Sequence, residues 1–207
     1  MSQFSPNASA FISNAFTSQT YVANQIDVQQ EPIYDTITTA ASGVLATGSQ
    51  FFVNVGSGSN KTLAQANVLQ SQRLPSPEAF SIFSPRIWFS SDILLADAVA
   101  ILKNLALQFV MGNKAYNTGP LWHYCAGGGI WGFASTTANN TTISAYSNGH
   151  PSREAMVALQ IPIVIENGMN FYANLVGTSV TMTAAASGGT GSVITLLLDG
   201  LHARGVQ

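Results

Sequence analysis

Two apolar runs on either side of a turn pair decide the fold class of this chain: Val157-Ala-Leu-Gln-Ile-Pro-Ile-Val-Ile-Glu166, Asn167-Gly168 and Met169-Asn-Phe-Tyr-Ala-Asn-Leu175. Asn-Gly accepts the positive φ angles of a type I′ turn, and the twist of that turn matches the twist of two paired strands. Short apolar runs bounded by turn signals are typical of buried strands. The stretch therefore predicts a β-hairpin.

Similar signals occur on both sides of this stretch. Residues 179–185 and 192–198 flank Ser187-Gly-Gly-Thr-Gly191, which predicts a second hairpin with a longer loop. Residues 105–111 form another β-rich run, and Gly112-Asn113 offers a tight reversal directly after it. The distribution of these signals along the chain is typical of an all-β protein.

Two more β-rich runs cover residues 50–55 and 80–89. Pro85 interrupts the second run, and a proline inside a strand is typical of an edge strand or a bulge. Many short strands separated by glycine-rich or polar turns favour a sandwich or a barrel.

One segment, which begins near Ser91, predicts a helix. Ser91 can cap its start, Asp92 lies in its first turn and Lys103 in its last turn, and both charges have the sign that the helix dipole favours. Its apolar face comprises Leu94, Ala98, Ile101, Leu102 and Leu105. A single helix among many strands is expected to lie in a connection between them.

The chain is unusually poor in charge. Only 8% of its residues are Asp, Glu, Lys or Arg, whereas an ordinary soluble domain carries about 25%. The longest apolar region, residues 93–111, contains Asp97 and Lys103, which a membrane span tolerates poorly. We therefore expect no transmembrane helix, and we interpret the missing charge as a sign of a surface covered by other protein subunits.

The N-terminal part differs in composition from the rest of the chain. Residues 1–42 are rich in Ser, Ala, Asn, Gln and Thr and predict an extended arm, whereas residues 43–207 predict the β domain. The arm contains no Lys or Arg, so it lacks the cations needed to bind nucleic acid. The alternative is a first strand plus irregular structure within the domain. The expected anchors of the arm on a neighbouring subunit are its large aromatic residues, Phe4, Phe11, Phe16 and Tyr21.

No catalytic or metal site is predicted. His123 and Cys125 would share one face of a strand, but neighbours at this spacing rarely reach the geometry of a nucleophile and its base. The three histidines are scattered without a zinc-binding spacing, and the acidic residues do not cluster. Gly127-Gly-Gly129 lacks the remainder of a phosphate-binding motif, which favours a flexible loop or close backbone packing. We therefore expect no enzymatic activity and no cofactor.

Three aromatic residues, Trp122, Tyr124 and Trp131, lie close together in the sequence. Such residues can stack on sugars, and this possibility gives the second functional hypothesis, a carbohydrate-binding β-sandwich. The alternative is that they belong to the core or to a subunit interface, where Trp and Tyr are common anchors.

Four stretches in the second half of the chain carry a resemblance to a known family of proteins. They are Leu105-Ala-Leu-Gln-Phe-Val-Met-Gly-Asn-Lys-Ala-Tyr-Asn-Thr-Gly-Pro-Leu-Trp122, Ala126-Gly-Gly-Gly-Ile130, Pro162-Ile-Val-Ile-Glu-Asn-Gly-Met-Asn-Phe-Tyr-Ala173 and Val193-Ile-Thr-Leu-Leu-Leu-Asp-Gly-Leu-His-Ala-Arg204. In style of sequence, residues 80–207 resemble the β-barrel (jelly-roll) capsid proteins of tailless icosahedral bacteriophages, many of which contain a membrane.

This resemblance implies a fold and a function. The expected fold is all-β, a single jelly-roll β-sandwich or barrel with one short helix in a connection and an extended N-terminal arm. The expected function is structural: the chain assembles with itself, as trimers or pentamers of an icosahedral capsid shell, alongside other capsid proteins. The expected location is the virion, after assembly in the host cytoplasm. An underlying viral membrane would agree with an arm that does not bind the genome.

Overall fold

The computed structural model describes residues 26–40, 42–90, 93–136, 142–150, 153–183 and 192–205. Its fold is mostly β, with 48% of residues in strands and 15% in helices. The elements, in chain order, are β1 Ile26–Thr39, β2 Val44–Leu45, β3 Gln50–Phe51, β4 Ala79–Phe89, α1 Leu95–Asn104, β5 Leu105–Met111, β6 Lys114–Pro120, β7 Trp131–Thr136, β8 Thr142–Ser147, β9 Ile163–Ile165, β10 Phe171–Gly177, β11 Val180–Thr181 and β12 Ser192–Gly205. Short 3₁₀ turns cover Gly56–Gly58, Leu121–Tyr124, Ala126–Gly128 and Arg153–Ala155.

Two four-stranded antiparallel sheets contribute to one hydrophobic core. The first sheet has the order β1-β12-β4-β9 and the second the order β3-β10-β5-β6. Side chains of both sheets belong to one buried cluster, with Phe80, Ile194 and Leu196 from the first sheet and Phe109 and Phe171 from the second. Two smaller ladders, β2 with β11 and β7 with β8, complete the pairing in the described part of the chain. The all-β prediction with one α-helix is confirmed at this level.

The strands of the two large sheets pair in a nested order: the first strand pairs with the last, and the strands between them pair in the same way. β1 pairs with β12, β3 with β10, β4 with β9 and β5 with β6. Two further ladders, β12 with β4 and β10 with β5, join these pairs into sheets. Of these six ladders, only β5–β6 joins strands that follow each other directly, and their reversal at Gly112-Asn113 confirms the prediction for that turn.

The predicted hairpin around Asn167-Gly168 is wrong. The turn is present, since Met169 N donates to Glu166 O at 3.2 Å, but the strands before and after it enter different sheets. β9 pairs with β4, and β10 pairs with β3 and β5. Asn-Gly fixes a local reversal of the chain but not the strand with which each run then pairs. Because Ile165 and Phe171 are both buried in the core, the reversal connects two layers that enclose that core.

The second predicted hairpin is also wrong. β11, which lies in the first of its two runs, pairs with β2, whereas β12 pairs with β1 and β4. The glycine-rich residues between the runs lie outside the described residues. β12 is the central hydrophobic strand of its sheet, so two long partners bury it more completely than one adjacent run would.

For the run interrupted by Pro85, the sequence predicted an edge strand or a bulge, and the structure shows a bulge two residues before the proline. Asp199 pairs with Ser84 and Gly200 with Ile82, so Phe83 is the extra residue on β4. On its other side β4 pairs with β9 only over Phe80–Ile82, which leaves no ladder at Pro85 to require its missing N–H. The predicted run 50–55 is shorter than expected, because Phe52 takes a positive φ of 67° and ends β3.

The predicted helix exists, but it begins later than expected. α1 begins at Leu95 with Leu94 at its N-cap and no side-chain cap, while Ser91 and Asp92 lie outside the described residues. Lys103 lies in its last turn, as predicted, and Asp97 lies in its first. Asp97 is buried and accepts hydrogen bonds from Thr183 N at 3.0 Å and Thr183 Oγ1 at 2.7 Å, which ties the helix to the segment after β11. None of the helices in the described ranges is long and apolar enough to span a bilayer.

The last third of the predicted arm belongs to the sheet. Residues 26–39 form β1 and pair with β12 along the whole strand, because Ile33 and Ile37 face the core. This segment follows the alternative of a first strand within the domain. The arm prediction therefore now concerns residues 1–25, which lie outside the described residues together with the predicted anchors Phe4, Phe11, Phe16 and Tyr21.

Candidate functional site

The 3₁₀ turn after β6 exposes one tryptophan and buries a tyrosine. A 3₁₀ turn has three residues per turn, so Leu121 and Tyr124 lie on the same side, and both are buried. Trp122 is 60% exposed, and His123 beside it is also exposed. The rings of Trp122 and His123 lie edge to face, with centroids 6.1 Å apart and planes at 88°.

A second exposed tryptophan begins β7. Trp131 is 64% exposed, and its ring lies 5.7 Å from the ring of His150, which is also exposed. Both β7 and the 3₁₀ turn Leu121–Tyr124 pack against α1. Two exposed aromatic pairs, Trp122 with His123 and Trp131 with His150, are together called the tryptophan surface below; the hydrogen bond from His150 N to Gly127 O connects the segments that carry them.

Tyr124 does not belong to this surface. Its side chain is buried, its hydroxyl donates to Asn117 Oδ1 at 2.8 Å, and burial raises its pKa. Gly119 leaves the space that the ring fills, since a Cβ there would lie 2.7 Å from the tyrosine hydroxyl. Of the three aromatic residues singled out in the sequence, the structure therefore exposes two and places the third in the core.

The triple glycine allows two backbone segments to approach closely. Gly127 takes a φ of 70°, and a Cβ on it would lie 2.6 Å from the carbonyl oxygen of His150. A Cβ on Gly149 would lie 2.6 Å from the carbonyl oxygen of Gly129. His150 N donates to Gly127 O at 3.2 Å. The glycines thus hold His150 beside Trp131, which confirms close backbone packing as the interpretation of this motif.

The tryptophan surface lies in the longest uncharged stretch of the chain. No Asp, Glu, Lys or Arg occurs from Ala115 to Ser152, and all four residues of the surface fall between these limits. Exposed tryptophans without nearby sequence charge differ from an ordinary protein surface, where Lys and Glu predominate. Such residues are typical of surfaces that become buried against a partner.

Cys125 is placed as a buried structural residue and not as a nucleophile. It is 4% exposed and forms an isolated parallel bridge with Ile87 of β4. Burial raises the pKa of its thiol to about 11. His123 lies in the 3₁₀ turn and is exposed, so the two side chains do not share a strand face as the sequence spacing suggested.

We expect the native protein to resist thiol labelling. With a pKa of about 11, roughly one thiol in a thousand is ionised near pH 8, and the thiolate is the reactive form. Ellman's reagent should therefore release almost no thionitrobenzoate from native protein, but one equivalent from the protein in concentrated guanidinium. Equal rates in the two states would contradict the buried position of Cys125.

A Glu–His–Glu cluster that no sequence signal predicted lies at one end of the first sheet. His202 Nδ1 contacts Glu31 Oε1, and His202 Nε2 lies 3.1 Å from Glu78 Oε2. The two carboxylates lie on opposite sides of the ring, so they do not converge on a point where a metal could bind. Across the described ranges no three His, Cys, Asp or Glu side chains form a metal-binding group. The cluster instead links β1, β12 and the residue before β4.

The gap between the two sheets offers little room for a ligand. A cavity lined by Ile82, Pro85, Leu107, Phe109, Asn117, Leu159, Ile163 and Leu198 has space for about one water molecule. Its lining is apolar except for Asn117, whose side-chain oxygen already accepts the hydrogen bond from Tyr124. The tryptophan surface is therefore the stronger candidate for a functional site.

No protein-family model matches the chain, and comparisons with curated proteins and with solved structures return no significant match.

Proposed function

We propose that this chain is a jelly-roll protein that assembles with copies of itself into the icosahedral capsid shell of a tailless bacteriophage. The observation that carries the proposal is the pair of exposed tryptophans, Trp122 and Trp131, in the longest uncharged stretch of a chain with 8% charged residues. A surface of this kind is stable in water mainly when another protein covers it.

The strand order supports the jelly-roll part of the proposal. A jelly roll contains eight strands in two sheets, wound as two Greek keys. The eight strands β1, β3, β4, β5, β6, β9, β10 and β12 pair first with last, second with seventh, third with sixth and fourth with fifth. Capsid proteins, lectins and cupins all use this architecture, so the fold alone does not select among these functions.

The energetics of assembly favour many modest contacts. Each 1,000 Å² of apolar surface removed from water contributes roughly 25 kcal/mol before the costs of association and ordering. Because the chain carries few charged residues, few charged side chains lose their hydration at such a contact. Equivalent contacts repeated by symmetry then close a shell.

The absence of Lys and Arg from the N-terminal segment favours protein over nucleic acid as its partner. No Lys or Arg precedes Lys61, so residues 1–25 present no cations to phosphate groups. In the proposed virion, assembled in the host cytoplasm, this segment contacts neighbouring subunits. Other capsid proteins and an underlying viral membrane are compatible with the same arrangement.

A carbohydrate-binding sandwich of a spike or tail tip is the second candidate. It is favoured by the exposure of Trp122 and Trp131, since sugars stack on exposed aromatic rings. It is weakened by the burial of Tyr124, which that hypothesis required at the surface. Glycan-array binding that is lost on Trp122→Ala, by a small uniform oligomer, would favour this candidate over a shell.

The test of the leading proposal is the size of the purified protein. We expect light scattering and negative-stain microscopy of the full chain to show large closed particles of uniform diameter. A small oligomer that stays small at high protein concentration and across ionic strengths would overturn the proposal.

Deleting residues 2–25 should abolish these particles without unfolding the domain. The deletion ends before Ile26 because residues 26–30 pair with residues 201–205 of β12. We expect an unchanged far-UV circular dichroism spectrum and an unchanged thermal transition, with no closed particles by microscopy. Particles of normal size formed by the truncated chain would contradict the role of the N-terminal segment.

A further inference from the structure

The tryptophan surface and the start of β1 lie at opposite ends of the first sheet. Ile26, the first residue of β1, pairs with Gly205, whereas Ile37 pairs with Ile194, which also pairs with Phe89 of β4. From Ile26 to Ile37 the strand rises about 37 Å. The ends of the sheet are therefore well separated.

Hydrogen bonds attach the tryptophan surface to the Phe89 end. Asn148 binds both backbone groups of Phe89, with its Oδ1 accepting from Phe89 N and its Nδ2 donating to Phe89 O, each at 2.9 Å. His150 follows two residues later, and Cys125, next to the 3₁₀ turn of Trp122, bridges to Ile87.

The direction of β1 determines the end of the sheet at which residues 1–25 are attached. β1 runs from the Gly205 end of the sheet to the Phe89 end, so residues 1–25 join the fold at the end opposite the tryptophan surface. Fully extended, a segment of this length reaches about 85 Å, which exceeds the length of the sheet. A neighbouring copy placed beyond the Gly205 end is therefore within reach.

The chemistry of this segment matches the chemistry of the surface. No Asp, Glu, Lys or Arg occurs before Asp27, and the segment carries Phe4, Phe11, Phe16 and Tyr21. The tryptophan surface also lies in an uncharged stretch and consists of aromatic rings. Neither stretch contributes an Asp, Glu, Lys or Arg side chain to such a contact, and aromatic side chains are frequent anchors of protein interfaces.

We propose that residues 1–25 of one copy bind the tryptophan surface of a neighbouring copy. This inference rests on the proposed function and names the partner of its surface: a second copy of the chain, bound head to tail. Each subunit gives a segment to one neighbour and receives a segment from another. Such heterologous contacts propagate from subunit to subunit, as a shell requires, and do not stop at a dimer.

Photo-crosslinking in the full-length protein tests this contact. A benzoylphenylalanine residue replaces Phe11 in one preparation and Phe16 in another, and each is mixed with ¹⁵N-labelled wild-type chain before assembly and irradiation. We expect mass spectrometry to find crosslinks between light and heavy chains, at or beside Trp122 and Trp131. Circular dichroism of each preparation verifies that the substituted chains fold.

Matched variants connect the crosslink to the tryptophans. In the full chain, Trp122→Ala together with Trp131→Ala should lower the crosslink yield at least tenfold. Leu63→Ala is the control, because Leu63 is 73% exposed and lies beside Tyr34 of β1, which β12 separates from β4. Its crosslink yield should equal that of the wild type. If the double variant does not fold, the position of the crosslinks in the wild-type background still decides the question.

The outcomes separate this inference from the proposed function. Crosslinks within one chain, to another region of the neighbour, or at unchanged yield in the double tryptophan variant overturn the inference, even where closed particles form. Crosslinks to the tryptophan surface within a small oligomer support the inference and overturn the shell. Closed particles whose tryptophans remain open to solvent and bind a glycan also overturn the inference.

Discussion

Replacing Asp35 with alanine should lower the free energy of unfolding by about 3–5 kcal/mol. Asp35 lies on β1, and its side chain is 0% exposed. Its carboxylate accepts hydrogen bonds from Phe52 N at 2.7 Å, Thr36 N at 2.8 Å and Lys61 Nζ at 2.6 Å. Because the Lys61 side chain is only 19% exposed, alanine at position 35 leaves an ammonium group with little water and without this carboxylate.

The same substitution removes a restraint on an unfavourable backbone conformation. Phe52 takes a φ of 67°, which costs energy for a residue with a large side chain, and its N–H is held by Asp35. Phe52 itself is fully buried against Phe171, with ring centroids 5.4 Å apart. Loss of the carboxylate should therefore loosen the end of β3 and the core beside it.

Urea unfolding followed by tryptophan fluorescence measures this effect. Asp27→Ala is the matched control, since Asp27 is also on β1 and also faces a cation, Arg204, but at 3.5 Å and with both side chains nearly half exposed. An exposed pair of this kind contributes about 0.5 kcal/mol or less. A loss in Asp35→Ala as small as that in Asp27→Ala would refute the structural role of Asp35.

Lys61→Met distinguishes the ion pair from the other hydrogen bonds of Asp35. The substitution removes the ammonium group and keeps a long apolar side chain. Asp35 still accepts hydrogen bonds from its two backbone donors, Thr36 N and Phe52 N. We expect a smaller loss of stability than in Asp35→Ala. The double variant should be less destabilised than the sum of the two single variants, because the groups contact each other directly.

A methyl group on Gly200 should lower the free energy of unfolding by about 3 kcal/mol or more. Gly200 lies on β12 at the bulge opposite Ile82, and a Cβ there would overlap the Ser81 carbonyl oxygen and lie 2.7 Å from the ring of Phe80. β12 is paired on both sides, with β1 and with β4, so it cannot move away without breaking a ladder.

Gly58→Ala provides the control for Gly200→Ala. A Cβ on Gly58 would meet no atom within 4 Å, so we expect its unfolding midpoint to stay within the range of ordinary surface substitutions. Both variants gain the same methyl group and lose the same backbone freedom in the unfolded chain. If both unfold at the same urea concentration, the close contact at the bulge does not constrain the fold.

Local sequence signals predicted where strands, turns and the helix lie better than they predicted which strands pair with each other. The hairpin predicted at Gly112-Asn113 is present, because β5 and β6 pair directly across that turn. Asn167-Gly168 carries the same kind of signal, yet its strands enter different sheets. Turn chemistry determines where the chain reverses, whereas the partners of each strand depend on which residues elsewhere bury its apolar side.

The same limit applies to the candidate site. Trp122 and Trp131 could be singled out from the sequence as aromatic residues in an uncharged stretch, but the burial of Tyr124 depends on a 3₁₀ turn that no sequence signal predicted. The Glu31–His202–Glu78 cluster and the Asp35–Lys61 pair were missed because strand pairing, not proximity in sequence, brings their members together.

The nested order of pairing has a consequence for synthesis on the ribosome. β1 ends at Thr39 and its long partner β12 begins only at Ser192, and β12 also forms the central ladder with β4. The first sheet therefore cannot close until β12 has left the ribosome. Until then β1 and β4 remain without their long partner, and such non-local pairing is slow to form and leaves apolar strands exposed to other molecules.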